Sequence, residues 1–181
     1  YSNKTIIVFC STRSDVTRFH SRLNNRGINA VSLSGALKQE ERFKALQSLK
    51  NGTCRICIAT DVASRGIDII DLDIVIHANL PRNSETLIHR SGRTGRAGKS
   101  GLSIILFSPS NIRSYNRIVD QSKISPKLKK NISRKQIEDN ENIQLLNEIS
   151  IKSKLDVDNK LVDNLMNNYS SKDLAKALIS L

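Results

Sequence analysis

Between residues 5 and 120 the chain alternates short apolar runs with stretches of helical periodicity, and this constrains the fold more than any other feature. The runs are TIIVFC (5–10), NAVSL (29–33), RICIA (55–59), DIVIHA (73–78) and GLSIILF (101–107). Each is rich in β-branched residues and has the length of a strand. Between them lie helical patterns. One is capped by Ser14 and stops at Gly27. QEERFKALQSLKNG (39–52) sets Phe43, Leu46 and Leu49 on one face and stops at Gly52. SETLIHR (84–90) is a short helix after Pro81, and NIRSYNRIVD (111–120) is another. Strands alternating with helices predict crossover units, hence an α/β fold with a parallel sheet covered on both faces. Ligands of such sheets gather beyond the carboxyl ends of the strands. Polar residues fall there: Thr12 and Arg13 after the first strand, Ser34 and Gly35 after the second, Thr60 and Asp61 after the third.

The remaining third changes character. Residues 121–135 carry six Lys and Arg and no acidic residue, and read as a basic linker or arm, or as a solvated charge run. Residues 136–181 are helical by period: Ile143, Leu146 and Ile149, then Val157, Leu161, Leu165 and Met166, then Leu174, Ala177, Leu178 and Leu181. Ser170 and Asp173 have the spacing of a capping box. These stripes exceed what short helices bury among themselves, which predicts packing on the main domain or on a second copy. The expected division is therefore 1–120, 121–135 and 136–181. The chain starts at Tyr1, almost directly in a strand, and reads as a piece of a longer protein.

Composition narrows the partners. A formal charge of +12 favours a polyanion, with nucleic acid ahead of an acidic protein or a membrane surface. Aromatics are only 4% and Trp is absent, so contact with phosphates is expected and an aromatic stacking platform is not. No apolar run is long enough to span a membrane. Three cysteines are too few for a disulfide framework and point to a reducing compartment. Cys54 and Cys57 form C-x-x-C, but a strand turns residues three apart to opposite faces, so this pair reads as packing and not as a zinc or redox site.

The segment HRSGRTGRAGKSG (89–101) ends in Gly98-Lys99-Ser100, as a P-loop does. A P-loop needs G-x-x-x-x-G-K-[ST] after a strand. Here the first glycine position is Arg93, and the segment precedes a strand, so that reading fails. Its arginines suggest another. A guanidinium is a rigid, always charged fork that fits phosphate oxygens, and across an interface it stabilises a transferring phosphoryl group. On spacing alone, Arg93 and Arg96 could equally be a helix-end cluster binding carbonyls.

IVFCST, SGALKQEER, ATDVASRGIDI and HRSGRTGRAG, in this order, make residues 3–120 resemble the second RecA-like domain of the DEAD-box RNA helicases. The run Ala59–Asp68 is similar to that family's motif V and His89–Arg96 to its motif VI. The resemblance implies an ATP-dependent RNA helicase whose other, N-terminal RecA-like half carries the P-loop and holds ATP with Mg2+. It implies that Arg93 and Arg96 are arginine fingers and that His89 couples the halves. Arg65, Gly66 and Asp68 would face ATP, Asp68 through the ribose. Thr12, Arg13, Gly35, Gln39, Arg42, Thr60 and Asp61 would line the RNA track. Taken singly, Thr12 and Gln39 also fit ordinary helix capping. The chain departs from the family pattern at SLSGA, where Ala36 lacks an acidic contact, and at HANLP, which replaces the usual Asn-Tyr-Asp-x-Pro. Leu87 stands in place of a Tyr, and Ser91 in place of the common Ile. The tail resembles the helical, dimerising region of bacterial DeaD-type cold-shock helicases, which implies a homodimer through 136–181 and a cytoplasmic protein. The alternative is a non-catalytic RNA-binding and dimerisation module.

Overall fold

The computed structural model describes residues 4–35, 37–64, 72–95, 98–129, 132–152 and 159–180. They divide into two compact units, Tyr1–Lys127 and Leu128–Leu181. In the first unit five strands, β1 (Ile6–Phe9), β2 (Val31–Leu33), β3 (Ile56–Ala59), β4 (Ile74–His77) and β5 (Leu102–Ile105), form one sheet in the order β2-β3-β1-β4-β5. All pairings are parallel, with Phe9 opposite Ala59 on one side and His77 on the other. The expected parallel α/β sheet is thus present.

Alternation along the strands makes two cores. Ile7, Phe9, Cys57, Ala59 and Val75 share one face with Leu33 and with Ala45 and Leu49 of helix α2 (Gln39–Lys50). Val8, Cys10 and Ile58 share the other with Val16 of helix α1 (Arg13–Asn24). All three cysteines are buried free thiols. Burial pushes the Cys10 thiol up to about 11 and Cys57 up further. At the other end of the strands, Asp73 ties β1 to β4. It accepts hydrogen bonds from Lys4 Nζ (2.9 Å), the Thr5 amide (2.8 Å) and the Thr5 hydroxyl (2.9 Å), which hold its carboxyl down to about 2.

Three local expectations are corrected. The N-cap of α1 is Thr12, not Ser14: its hydroxyl accepts from the Asp15 amide (3.1 Å) and donates to the Asp15 carboxylate (2.8 Å). The chain S-T-R-S-D offers two candidate caps, and the one with an Asp three residues on prevails. On α2, Phe43 is 66% exposed, and Ala45 takes its place in the core beside Leu49, with Leu46 half-buried. A short helix, α3 (Asp61–Ser64), follows β3 directly, where no helix was expected. The stops at Gly27 and Gly52 hold, both glycines having positive φ (73° and 71°).

Helix α4 (Ser84–Ser91) leads back to β5, and α5 (Ile112–Ser122) packs against α4. Left-handed Lys123 (φ 53°) ends α5. In the second unit, α6 (Arg134–Lys152) starts at a reciprocal Ser133/Gln136 box. The Gln136 amide donates to Ser133 Oγ (3.2 Å) and the Ser133 amide to Gln136 Oε1 (2.8 Å). Arg134 and Lys135 of the basic stretch therefore lie in a helix. Helices α7 (Asn159–Asn168) and α8 (Ser171–Ser180) follow. Ser170 caps α8, its hydroxyl accepting from the Asp173 amide (3.2 Å), but the Asp173 carboxylate bonds that hydroxyl (2.6 Å) and not the cap backbone. Ile143, Leu146, Leu161, Leu165, Met166 and Leu178 are all exposed. Val157 and Leu181 lie outside the described residues.

Replacing the α1 cap checks the first correction. Thr12→Ala should cost about 1 kcal/mol in urea unfolding, and Thr12→Ser only a few tenths, whereas Ser14→Ala should leave the midpoint unchanged.

Candidate functional site

At the carboxyl ends of the strands the chain leaves β1 toward β2 but leaves β4 toward β5. Neighbouring strands whose connections diverge in this way open a crevice between them. The Ser11 amide, after β1, donates to Asn79 Oδ1, after β4, at 3.0 Å across this point. A cleft of about 170 Å³ lies here, with Phe9, Asp61, His89, Arg90 and Arg93 on its walls.

Helix α4 forms one wall. Asn83 caps it, its side-chain oxygen accepting from the Thr86 amide at 2.9 Å. Leu87 and Arg90, three residues apart, share the buried face, and Arg90 is only 4% exposed. A buried guanidinium needs a counter-charge. Asp61 supplies it as a fork: Arg90 Nε donates to Oδ1 at 2.6 Å and Nη2 to Oδ2 at 2.7 Å. The same guanidinium lies 5.1 Å from the centre of the Phe9 ring, within cation–π reach. Its third nitrogen, Nη1, is buried with no hydrogen-bond partner among the described residues.

Beside Arg90 lies fully buried His77. Burial, and then the positive charge of Arg90, push its pKa from 6.5 down to about 4, against an opposing pull from Asp61. Its Nε2 lies 3.1 Å from Ser103 Oγ and 3.3 Å from Ser91 Oγ, and the two hydroxyls are 2.9 Å apart.

The turn after α4 presents Arg93. Its amide donates to the Arg90 carbonyl (3.1 Å), and its carbonyl accepts from the Leu72 amide (3.3 Å). The Thr94 hydroxyl faces the Leu72 and Asp73 carbonyls at 2.5 and 2.9 Å. Arg93 is thereby held half-buried on the cleft wall beside exposed His89. The glycines beyond serve loop closure. A Cβ on Gly101 would stand 2.5 Å from the Gly95 amide nitrogen, so the two ends of this loop touch only because residue 101 has no side chain.

A second group lies along β1, β3 and β2. Thr12 and Arg13 follow β1 and Gly35 follows β2. A Cβ on Gly35 would lie 3.1 Å from Arg13 Nη2, so the guanidinium rests on that backbone. Gln39 is exposed at the first position of α2, and Arg42 is half-buried one turn on. Thr60 is buried, its amide donating to the Leu33 carbonyl at 3.2 Å. Asp61, assigned with this group from sequence, turns its carboxylate to Arg90 and lines the cleft. Arg65, Gly66, Asp68 and Arg96 lie outside the described residues, as does Ala36. Sequence reasoning gave Arg90 no role. The signal was a charge on the apolar face of α4, three residues after Leu87, which calls for an acid from a neighbouring element.

Residues 1–98, just over half of the chain, match the family model of the helicase conserved C-terminal domain. The chain belongs to that family. It is 44% identical over 117 residues to the ATP-dependent rRNA helicase RRP3 of Yarrowia lipolytica, covering 65% of this chain and 24% of that protein. Among solved structures it is similar to the E. coli DEAD-box protein SrmB bound to regulator of ribonuclease activity A. The TM-score is 0.66 at 32% identity, with 75% of this chain and 78% of that chain covered. It is also similar to S. cerevisiae Dbp5 bound to RNA and ADP BeF3, with a TM-score of 0.63 at 27% identity, covering 68% and 34% of the two chains. The parallel sheet is thus the RecA-like fold of a DEAD-box helicase C-terminal domain. The chain spans about a quarter of the length of the curated relatives it matches.

Two stability measurements test this geometry. Asp61→Ala should cost about 3 kcal/mol in urea unfolding by stranding a buried guanidinium, and Asp61→Ala with Arg90→Met should recover most of that loss. His77 has a folded pKa below its unfolded one, so the unfolded chain takes up its proton first. Its contribution is complete above pH 6.5 and drains as pH falls toward 4, by on the order of 3 kcal/mol. The stability difference between the parent and His77→Gln should therefore shrink between pH 7 and pH 4.

Proposed function

We propose that this chain is the C-terminal half of an ATP-dependent RNA helicase that separates short RNA duplexes. The observation that carries the reading is Arg93, held by its own backbone on the wall of the switch-point cleft, with His89 beside it and buried Arg90 forked to Asp61 beneath. A half-buried arginine fixed in this way pays little further ordering cost when a phosphate arrives. Arg93, with Arg96 three residues on, would contact the γ-phosphate of an ATP bound to the N-terminal RecA-like half. His89 would meet that half's acidic motif, and Arg65, Gly66 and Asp68 would complete the ATP side. The cleft fits one wall of such a site and a phosphate group, not a whole nucleotide. Mg2+ would be held by the other half.

Thr12, Arg13, Gly35, Gln39, Arg42 and Thr60 would form part of the RNA groove. They offer hydroxyls, backbone amides and charged donors, which suit phosphate and 2′-hydroxyl contact and read no sequence. A relative named as an rRNA helicase and Dbp5 bound to RNA and ADP BeF3 support the substrate. ATP and RNA would close the halves together, and hydrolysis would reopen them. The exposed stripes of α6, α7 and α8 support homodimerisation through 136–181, as in the cold-shock helicases the tail resembles. The three unpaired, buried thiols support a cytoplasmic setting. No helix among the described residues is long and apolar enough to cross a membrane.

Alone, the chain should hydrolyse no ATP. Joined to its N-terminal half it should show hydrolysis stimulated by RNA and not by DNA of the same sequence. Arg93→Ala and Arg96→Ala should each lower the rate by about 10³-fold or more. Full hydrolysis by either variant would refute the arginine assignment.

A further inference from the structure

His77 and Ser91 are 14 positions apart, and the structure brings these two side chains together. His77 ends β4, Ser91 ends α4, and Ser103 comes from β5. The three make a closed triangle of 3.1, 3.3 and 2.9 Å. A neutral imidazole bonds one hydroxyl and the other hydroxyl bonds the first, so the triangle holds in either tautomer. It sits where α4 ends. The Ser91 carbonyl accepts from the Thr94 amide at 3.1 Å, and Thr94 in turn bonds the Leu72 and Asp73 carbonyls. Arg93 lies inside this span. Upstream of it, Arg90 grips Asp61 and the Ser91 hydroxyl meets Ser103 of the sheet.

We propose that Ser91, with His77 and Ser103, is a positioning residue: this triangle, anchored on the buried His77 and open to solvent at Ser103, ties the last turn of α4 to strands β4 and β5 and so fixes the angle at which Arg93 meets the transferring phosphate. The inference rests on the helicase reading above. An apolar residue at 91 can pack against the sheet but can fix no direction, whereas a hydroxyl with two partners can. The chemistry asks for that precision, because a small misplacement of a charge-stabilising group lowers the rate of the step while leaving ground-state binding intact.

The test is steady-state ATP hydrolysis, with saturating RNA, by the protein carrying both halves. Ser91→Ala should lower kcat about tenfold and leave KM for ATP within about twofold. Ser91→Thr, which keeps the hydroxyl, should restore kcat, and Ser103→Ala should reproduce the defect. Thermal unfolding of each variant verifies that the domain is folded. If Ser91→Ala turns over within twofold of the parent while Arg93→Ala is inactive, the triangle has no positioning role and the helicase reading stands. Equal loss in Ser91→Ala and folded Ser91→Thr also overturns the proposal. If Arg93→Ala itself is fully active, the helicase reading fails and this inference fails with it.

Discussion

The first unit turns on one ion pair whose guanidinium is buried. Arg90 projects from the apolar face of α4 into the sheet, where no water can solvate it, and the fold has to supply what water would. Asp61, the second residue after β3, does so by accepting two short hydrogen bonds, and the Phe9 ring adds its face. Such a pair adds little net stability, since the desolvation of the guanidinium consumes most of the attraction. What it fixes is position. Helix α4 can slide or rotate on the sheet only by breaking the fork, and α4 is the element that carries His89 and leads to Arg93.

That constraint divides the strand tips into two regions. On the side of β1, β3 and β2, the polar groups are hydroxyls, amides and long flexible cations, which suit a ligand lying in several registers. On the side of α4, a single arginine is held by backbone hydrogen bonds at both ends, which suits a ligand that must be met at one point. Thr60 and Asp61 are adjacent residues and belong one to each region. A single peptide bond therefore joins the group proposed to meet RNA to the group that grips Arg90.

Legibility in the sequence followed the range of the interaction. The five strands were readable because burial on both faces demands apolar, β-branched runs, and the glycine stops were readable because a left-handed residue is a local requirement. Caps were readable only in part. Ser14 looked as good as Thr12 until the Asp15 side chain was seen to bond Thr12, and the Ser133/Gln136 box went unnoticed inside a run of positive charge. Phe43 misled because helical period fixes a stripe without fixing its width, and the narrow slot over β2 takes Ala45 instead. Asp61 was placed with the RNA track because its partner lies 29 residues away, and no spacing rule connects the two. Of the residues assigned to the candidate site, His89 and Arg93 fall together on the cleft. Arg65, Gly66, Asp68 and Arg96 lie outside the described residues.

Arg90 and Arg93 have different environments, and this bears on why the stretch 89–101 resembles a phosphate loop without being one. A true phosphate loop uses glycines so that backbone amides can close on an anion. Here Gly95 and Gly101 close on each other, so their lack of side chains serves the loop's own geometry. The anion-seeking part is left to side chains, and a side chain has to be aimed. Arg90 is neutralised within the fold, which leaves the adjoining turn rigid. Arg93 then inherits that rigidity without sharing the counter-charge. Among the described residues no acidic side chain pairs with Arg93, and at half-burial on the cleft wall its charge stays within reach of solvent. Under the proposed reading, that charge is available to a phosphate held by the other half.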